Sequence, residues 1–372
     1  MTLAPARPVI DPADLESASR DVRKAGSLTF LVEGEALTYR AAGGEVLESA
    51  DRDGDTVVAL TRQAWTDLVT QVRTPIGLLL AGELAFQTGD FNHLAAWDRT
   101  LRLLHNGVPP FDPERADLKG RDPRAALTLE STDEELREQL QTMGYLLVKG
   151  VFSPEEMAIA NAEVDRLAAE ATPGDDQSWF VETDEGQQLC RLVYATQRSA
   201  VLQFLEQDPR IQRLGTLLDP TLKPAPDRME GSAVLIKVPG KTRGLSNIPW
   251  HQDCGMGGHA IFCPSVSMGI QLTGSSPETG NLLMVPGSHG QTLHYQWDKR
   301  ADVPVVEVDT EPGDVTVHIQ DVMHASPQPT AQGGRRTMYV THYPATLWDH
   351  IGPGEAYNDL VRNRTTEVGA LA

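Results

Sequence analysis

Residues 27–50, SLTFLVEGEALTYRAAGGEVLESA, alternate apolar and polar positions around turn-type glycines, which predicts two or three half-buried strands. DTVVALTRQAWTDLV then predicts a strand that runs into a helix from about Gln63. TPIGLLLAGELAFQTGDF reads as an apolar helical stretch, with Pro75 suited to its first turn. Leu94, Trp97, Leu101 and Leu104 recur at helical spacing and predict an amphipathic helix. Together these elements describe a small α+β unit that ends near His105.

Residues 106–130 hold four prolines and many charges without a period, the pattern of a linker. Beyond it the chain predicts a helix, a short strand over Tyr145–Lys149 and a second helix. Ser153, Pro154 and Glu156 occupy the N-cap, N1 and N3 positions of that second helix. Met157, Ala160, Val164, Leu167 and Ala168 trace its buried face. From about residue 231, short strand-like runs alternate with Gly/Pro turns: SAVLIKVPG, SVSMGIQLTG, NLLMVPGS, VPVVEVDT, GDVTVHI and RRTMYVTHYP. Many short strands at this spacing predict a β-sandwich or jelly roll. No repeat of solenoid period is present.

Charge narrows the partners. A net charge of −20 on 372 residues disfavours both nucleic acid and anionic membrane surfaces, which require clustered Lys and Arg. Cys190, Cys254 and Cys263 make an odd count without C-x-x-C spacing, so neither a disulfide framework nor a zinc ribbon is expected. The first residues, MTLAPARPVIDPADLE, lack an apolar signal core, and no apolar run approaches the roughly 20 residues of a membrane span. A cytoplasmic location is expected.

The candidate chemistry begins at WHQDCGMGG, residues 250–258, where His251 and Asp253 stand two apart. Among 10 histidines one such pair is nearly expected by chance, so by itself it is a metal site, a catalytic dyad or coincidence. On a strand, positions i and i+2 share a face, and the two side chains can converge on one atom. A facial triad for non-haem Fe(II) then needs a second histidine. His289, His294, His318, His324, His342 and His350 are the late candidates.

Residues 133–345 resemble the phytanoyl-CoA dioxygenase family of Fe(II)/2-oxoglutarate oxygenases. The resemblance is carried, in order, by MGYLLVKGVFSPEE, KVPG…PWHQD, ETGNLLMVPGSH, PGDVTVH, MHAS and GGRR. It implies a double-stranded β-helix (jelly-roll, cupin-like) core with flanking helices. By position, His251, Asp253 and His324 would be the iron ligands. Arg335, with Ser326, would hold the distal carboxylate of 2-oxoglutarate. O2 would be the other cosubstrate, and succinate and CO2 would be released as an unactivated C–H bond is oxidised. Related halogenases carry Gly or Ala where Asp253 stands, so hydroxylation, desaturation or ring closure is expected instead.

Other residues carry milder expectations. His318 corresponds to a position commonly aromatic or histidine in the family, and is expected as a packed core residue. Arg336 should face away from Arg335, and Cys254 away from the metal. His259 and His289 are expected in solvated turns. Lys237 is either a neighbour of the site or a surface lysine. Gly269 stands where many relatives carry a bulky residue, and Met268 or Gln271 would fill the gap or leave room for a wider substrate. The 175–199 stretch, with Trp179, Phe180, Arg191, Tyr194 and Arg198, is expected as a lid or as ordinary packing, and Arg191 and Arg198 are candidates for an anionic substrate group.

Residues 27–107 resemble a sterol-carrier-protein type-2 domain through Gly82-Glu83-Leu84, Gly89-Asp90 and the amphipathic helix that follows. Such a domain implies a lipid tunnel. The plainer reading is a structural or dimerising unit whose Phe86, Leu94, Trp97 and Leu101 fill their own core. The expected organisation is an extension over 1–26, the carrier-like domain over 27–107, a linker over 108–132, the oxygenase domain over 133–350 and a tail over 351–372. The expected substrate is a hydrophobic small molecule: an acyl-CoA, a carrier-bound acyl chain, a terpenoid or a polyketide. The competing class is a lipid-binding or structural protein whose oxygenase domain is inactive.

Overall fold

In this computed structural model, the structure describes residues 3, 7–224, 232–240, 242–243, 248–253, 265–292, 303–331 and 334–345. They fall into two compact units, one of 3–116 with 290–292 and 303, the other of 117–253 with 265–289 and 304–345.

The first unit runs α1 (Pro12–Val22), β1 (Leu28–Val32), β2 (Glu35–Ala42), β3 (Glu45–Ser49), β4 (Thr56–Leu60), α2 (Arg62–Val69), α3 (Pro75–Leu80), β5 (Ala85–Thr88) and α4 (Phe91–Asn106). Its sheet has the order β3-β2-β1-β4-β5, with β1 and β4 parallel. Asp11, Thr61, Thr74 and Asp90 cap the four helices by accepting from backbone N–H groups of their first turns. The stretch expected as one helix after Pro75 is a helix and a strand. Gly82 adopts φ +74°, a left-handed conformation that releases the chain from the helix, and Ala85–Thr88 then pairs with β4. Leu94, Trp97 and Leu101 of α4 are buried with Leu28, Phe30, Tyr39 and Trp65 in one cluster, against which Phe86 packs. Each such side chain contributes about 1.5–3 kcal/mol by leaving water, and together they fill this unit's interior.

The second unit runs β6 (Ala126–Thr128), α5 (Asp133–Met143), β7 (Tyr145–Lys149), α6 (Pro154–Glu170), β8 (Ser178–Thr183), β9 (Gly186–Leu192), α7 (Ala195–Arg198), α8 (Ala200–Gln207), α9 (Pro209–Gly215), β10 (Lys223–Pro224), β11 (Ala233–Ile236), β12 (Thr242–Arg243), β13 (Ile248–His251), β14 (Val266–Gln271), β15 (Leu282–Met284), β16 (Val306–Val308), β17 (Val315–Ile319), β18 (His324–Ser326) and β19 (Arg336–Tyr343). The large sheet has the order β12-β8-β9-β11-β19-β14-β17-β7-β6, with β10 also on β19; the small one is β13-β18-β15-β16. One face of the large sheet is apolar: Val148, Val266, Met268, Ile270, Val315, Val317, Met338 and Val340 pack with Leu140, Val164, Leu205 and Leu214 of the helices. The alternate positions Ser267, Gln271, Thr316, His318 and Thr337 point the other way and are polar. A mixed α/β unit with two sheets of this kind is compatible with a jelly-roll oxygenase core.

Residues 178–192, within the stretch expected as a lid or as packing, form the hairpin β8–β9, which pairs with β11 and extends the large sheet. Trp179 and Tyr194 are buried in a small cluster of their own with Val181 and Cys190. Arg198 lies 3.8 Å from Glu170, and Arg191 stacks over the Trp179 ring at 4.9 Å. No helix among the described residues is long and apolar enough to cross a membrane.

Candidate functional site

The small sheet brings the first two candidates together. In the antiparallel pairing of β13 with β18, His251 stands directly opposite His324, and the ring centroids are 4.2 Å apart. The strand stops at His251, so Asp253 is not placed by strand alternation. Its backbone N–H donates to the Gln320 carbonyl at 2.8 Å, which turns its carboxylate back toward both rings. The ligand atoms of His251, Asp253 and His324 all lie within 4.8 Å of one another, a group that could hold a metal ion. Two imidazoles and one carboxylate on one side of a common point are a donor set suited to divalent iron.

The ring orientations are set by the backbone. His251 donates from Nδ1 to the Pro249 carbonyl at 2.8 Å, and His324 from Nδ1 to the Val322 carbonyl at 3.0 Å. A carbonyl only accepts, so each ring donates from Nδ1 and turns Nε2 toward Asp253. Those Nε2 atoms lie 3.2 Å and 3.7 Å from the same oxygen, Asp253 Oδ1. Burial alone would raise the Asp253 pKa. The neighbouring imidazoles of His324, His251 and His318 outweigh burial and hold the carboxyl well below its usual range. Burial, reinforced by the charge of His251, pushes His324 down to about 3, so His324 stays neutral and able to ligate. His251, whose burial works in the opposite direction, is raised by its bond to Asp253 and by that residue's charge.

Next to this group, two residues along β18 at Ser326, lies a cluster of buried polar side chains at the start of β19. Arg335 is 1% exposed and donates Nε to Thr337 Oγ1, Nη1 to the Gly280 carbonyl and Nη2 to Tyr339 Oη, each at 2.9 Å. No carboxylate pairs with it among the described residues. Ser326 donates its hydroxyl to the same Gly280 carbonyl at 2.9 Å, so the two expected cosubstrate residues converge on one atom. Lys237 is not a surface lysine: it is 1% exposed, and its Nζ donates to the Ser326 carbonyl at 2.7 Å. Burial, and after it the charge of Arg335, brings its pKa down to about 6.

Other expectations resolve as follows. Arg336 faces away, onto Asn161 and Asp165 of α6. His342, also on β19, is buried and pairs with Val266 across the strand. His289 is half-buried rather than solvated, and its Nε2 bonds the Gln141 carbonyl. Met268 does not fill the space at Gly269, because it points into the apolar core. A Cβ at Gly269 would instead meet Thr316 Oγ1 at 2.7 Å and Tyr339 Cε1 at 3.1 Å, so neighbouring strands occupy that space, beside Gln271. Cys254, His259, Cys263, His294 and His350 lie outside the described residues.

The sequence reading missed Thr337 and Tyr339 as members of this cluster and left Lys237 open. The first two were findable: they follow Arg335 at steps of two along a strand. His318 was expected as packing, and it is 1% exposed; it also touches Asp253, with Nε2 3.1 Å from Oδ2.

The phytanoyl-CoA dioxygenase (PhyH) family matches residues 140–337. A curated relative, the ectoine dioxygenase of Nocardia farcinica, is 30% identical over 165 residues, 41% of this chain and 50% of that protein, so the chain spans about half the length of this relative. Similar solved structures include EctD from S. alaskensis with bound Fe, at 20% identity and a TM-score of 0.48 over 64% of this chain and 84% of that one. The non-heme alpha ketoglutarate dependent carbocyclase SnoK from nogalamycin biosynthesis is 22% identical with a TM-score of 0.47, over 59% of this chain and 87% of its own. The family match runs from α5 into β19, takes in more than half of the 372 residues and contains all three members of the His–Asp–His group. The chain therefore belongs to the phytanoyl-CoA dioxygenase family.

Proposed function

We propose that His251, Asp253 and His324 hold the iron, that Arg335 receives the distal carboxylate of 2-oxoglutarate, and that the reaction oxidises an unactivated C–H bond of a hydrophobic small molecule. The observation that carries this reading is the group of three ligand atoms within 4.8 Å, with both histidines tied through Nδ1 so that Nε2 faces inward. When bound, iron and 2-oxoglutarate supply the activation of O2 that such an oxidation requires. Each residue's part follows from its surroundings. Neutral His324 and ionised Asp253 are ready to ligate without first losing a proton. Arg335 uses three of its five N–H groups on Thr337, Gly280 and Tyr339, which fixes its plane and leaves two donors for a carboxylate. Lys237, beside it, adds a second source of positive charge when protonated. Ser326, its proton given to Gly280, keeps oxygen lone pairs and a fixed position in that cluster.

The test is the visible charge-transfer band expected when Fe(II) and 2-oxoglutarate are added anaerobically to the purified protein. The band should appear in the wild type and be absent in His251→Ala. A folded wild type without the band would favour the binding-protein reading.

The substrate class rests on the resemblance of residues 27–107 to sterol-carrier domains. Substrate-dependent succinate release tests it: lipophilic acyl compounds should stimulate turnover, whereas stimulation only by ectoine, for which one relative is named, would replace this reading with a polar substrate. A carrier role requires a fluorescent acyl analogue to bind at stoichiometric ratio. The burial of Phe30, Trp65 and Trp97 in one cluster supports a second reading, a structural role for this unit.

A further inference from the structure

His318 lies on β17, between Ser267 of β14 and Tyr145 of β7. It shares the polar face of that strand with Thr316, while Val315, Val317 and Ile319 point into the apolar core. Its ring is 1% exposed and sits 4.7 Å from that of His324. Nδ1 is buried and has no hydrogen-bond partner among the described residues. A buried ring nitrogen without a partner is a cost that an apolar ring of the same size avoids, so packing alone does not explain a histidine here. What the histidine has and an apolar ring lacks is Nε2, which stands 3.1 Å from Asp253 Oδ2.

The two oxygens of Asp253 are thereby divided. Oδ1 faces the Nε2 atoms of His251 and His324, and Oδ2 faces His318. An ionised carboxylate only accepts, so His318 donates from Nε2. His251 and His324, by contrast, donate from Nδ1 to backbone carbonyls and turn Nε2 toward the other oxygen, Oδ1. The nitrogen of His318 that reaches toward the group is thus the one already carrying a proton, and it cannot ligate in that state.

We propose that His318 is a positioning residue that makes Asp253 a one-oxygen ligand: its Nε2–H engages Oδ2, and Oδ1 alone is left for the metal. The inference rests on the iron-site reading above. A carboxylate that used both oxygens would take a fourth position of an octahedral site, and a freely rotating one would lose the register with the two imidazoles. Partners that orient a metal ligand in this way typically change metal affinity by about 10–100-fold when removed.

The test uses Mn(II) as the probe, with free ion followed by electron paramagnetic resonance, so that no turnover is needed. His318→Phe keeps the ring volume and removes the donor. His318→Gln keeps an N–H able to reach Oδ2. His251→Ala serves as the control. The expected result is Mn(II) binding weakened by about 10–100-fold in His318→Phe and largely restored in His318→Gln, with the thermal midpoint of the metal-free protein not lowered in His318→Phe. Wild-type affinity in His318→Phe, to within about threefold, would overturn the assignment and leave the iron site standing. A wild type that does not bind Mn(II) would remove both. Should His318→Phe fail to fold, the ¹H–¹⁵N spectrum of the wild-type imidazoles decides: a proton on His318 Nε2 supports the proposal, and a proton on Nδ1 alone refutes it.

Discussion

Arg335 and Lys237 place two buried basic side chains beside one another, and each has a measurable consequence. Arg335 has no acidic partner among the described residues, so its charge is fully available to an anion. Arg335→Ala should cost about 3–5 kcal/mol of 2-oxoglutarate binding, the penalty for leaving a buried charge unpaired. Titration of the charge-transfer band measures it, and an unchanged affinity would sink the assignment. Lys237 titrates at about 6 in the folded chain, against an ordinary value of 10.5. Between those two values the unfolded state binds more protons than the folded one, so stability rises with pH. Below about 6 both states are protonated and the dependence ends. Each pH unit inside the window changes stability by about 1.4 kcal/mol through this one group. Lys237→Met should therefore stabilise the ligand-free protein more at pH 7 than at pH 9, as read by urea unfolding. A gain that does not depend on pH would mean that the amine is not buried in its charged form's disfavour. Arg335 stands out in the sequence because GGRR has a fixed place in the family resemblance, and the structure shows it buried. Lys237 was not, because one lysine beside a strand looks the same whether its side chain enters the protein or leaves it.

At the scale of elements, the site depends on strands whose two faces do different work. In β19, Met338 and Val340 enter the apolar core while Thr337 and Tyr339 face Arg335. That alternation is visible in the sequence. In β17 every residue is buried, and His318, expected as a packed core residue, also meets Asp253. The hairpin β8–β9 escaped notice for a related reason: Trp179, Phe180 and Val181 follow one another without a clear alternation, and the turn lies among charged residues. Gly269 shows how tightly these strands pack. A methyl group there would stand 2.7 Å from Thr316 Oγ1 and 3.1 Å from both Thr337 Cγ2 and Tyr339 Cε1. Gly269→Ala should lose about 1–3 kcal/mol of stability, the usual cost of overpacking. It should also weaken 2-oxoglutarate binding, because Tyr339 must shift off Arg335. If the variant unfolds and binds as the wild type does, the packing argument fails.

For the whole molecule, the separation into two cores is the property with the widest consequence. One cluster gathers Phe30, Tyr39, Trp65, Leu94 and Trp97, the other Leu140, Val164, Val266, Val317 and Met338, and no residue belongs to both. In the sequence, a stretch with four prolines and no period over residues 106–130 follows the first set of elements. His251, Asp253, His324 and Arg335 all belong to the second unit. Anything that binds only the folded site stabilises that unit and no other by mass action. At about 100 times its dissociation constant, a ligand contributes about 2.7 kcal/mol, which moves the midpoint of a unit of this size by about 5–10 °C. Calorimetry should therefore show two unfolding transitions. Mn(II) with 2-oxoglutarate should raise one of them and leave the other in place, and in His251→Ala neither should move. A single transition that shifts as a whole would mean that the two cores unfold together, and a shift that survives His251→Ala would place the bound metal elsewhere.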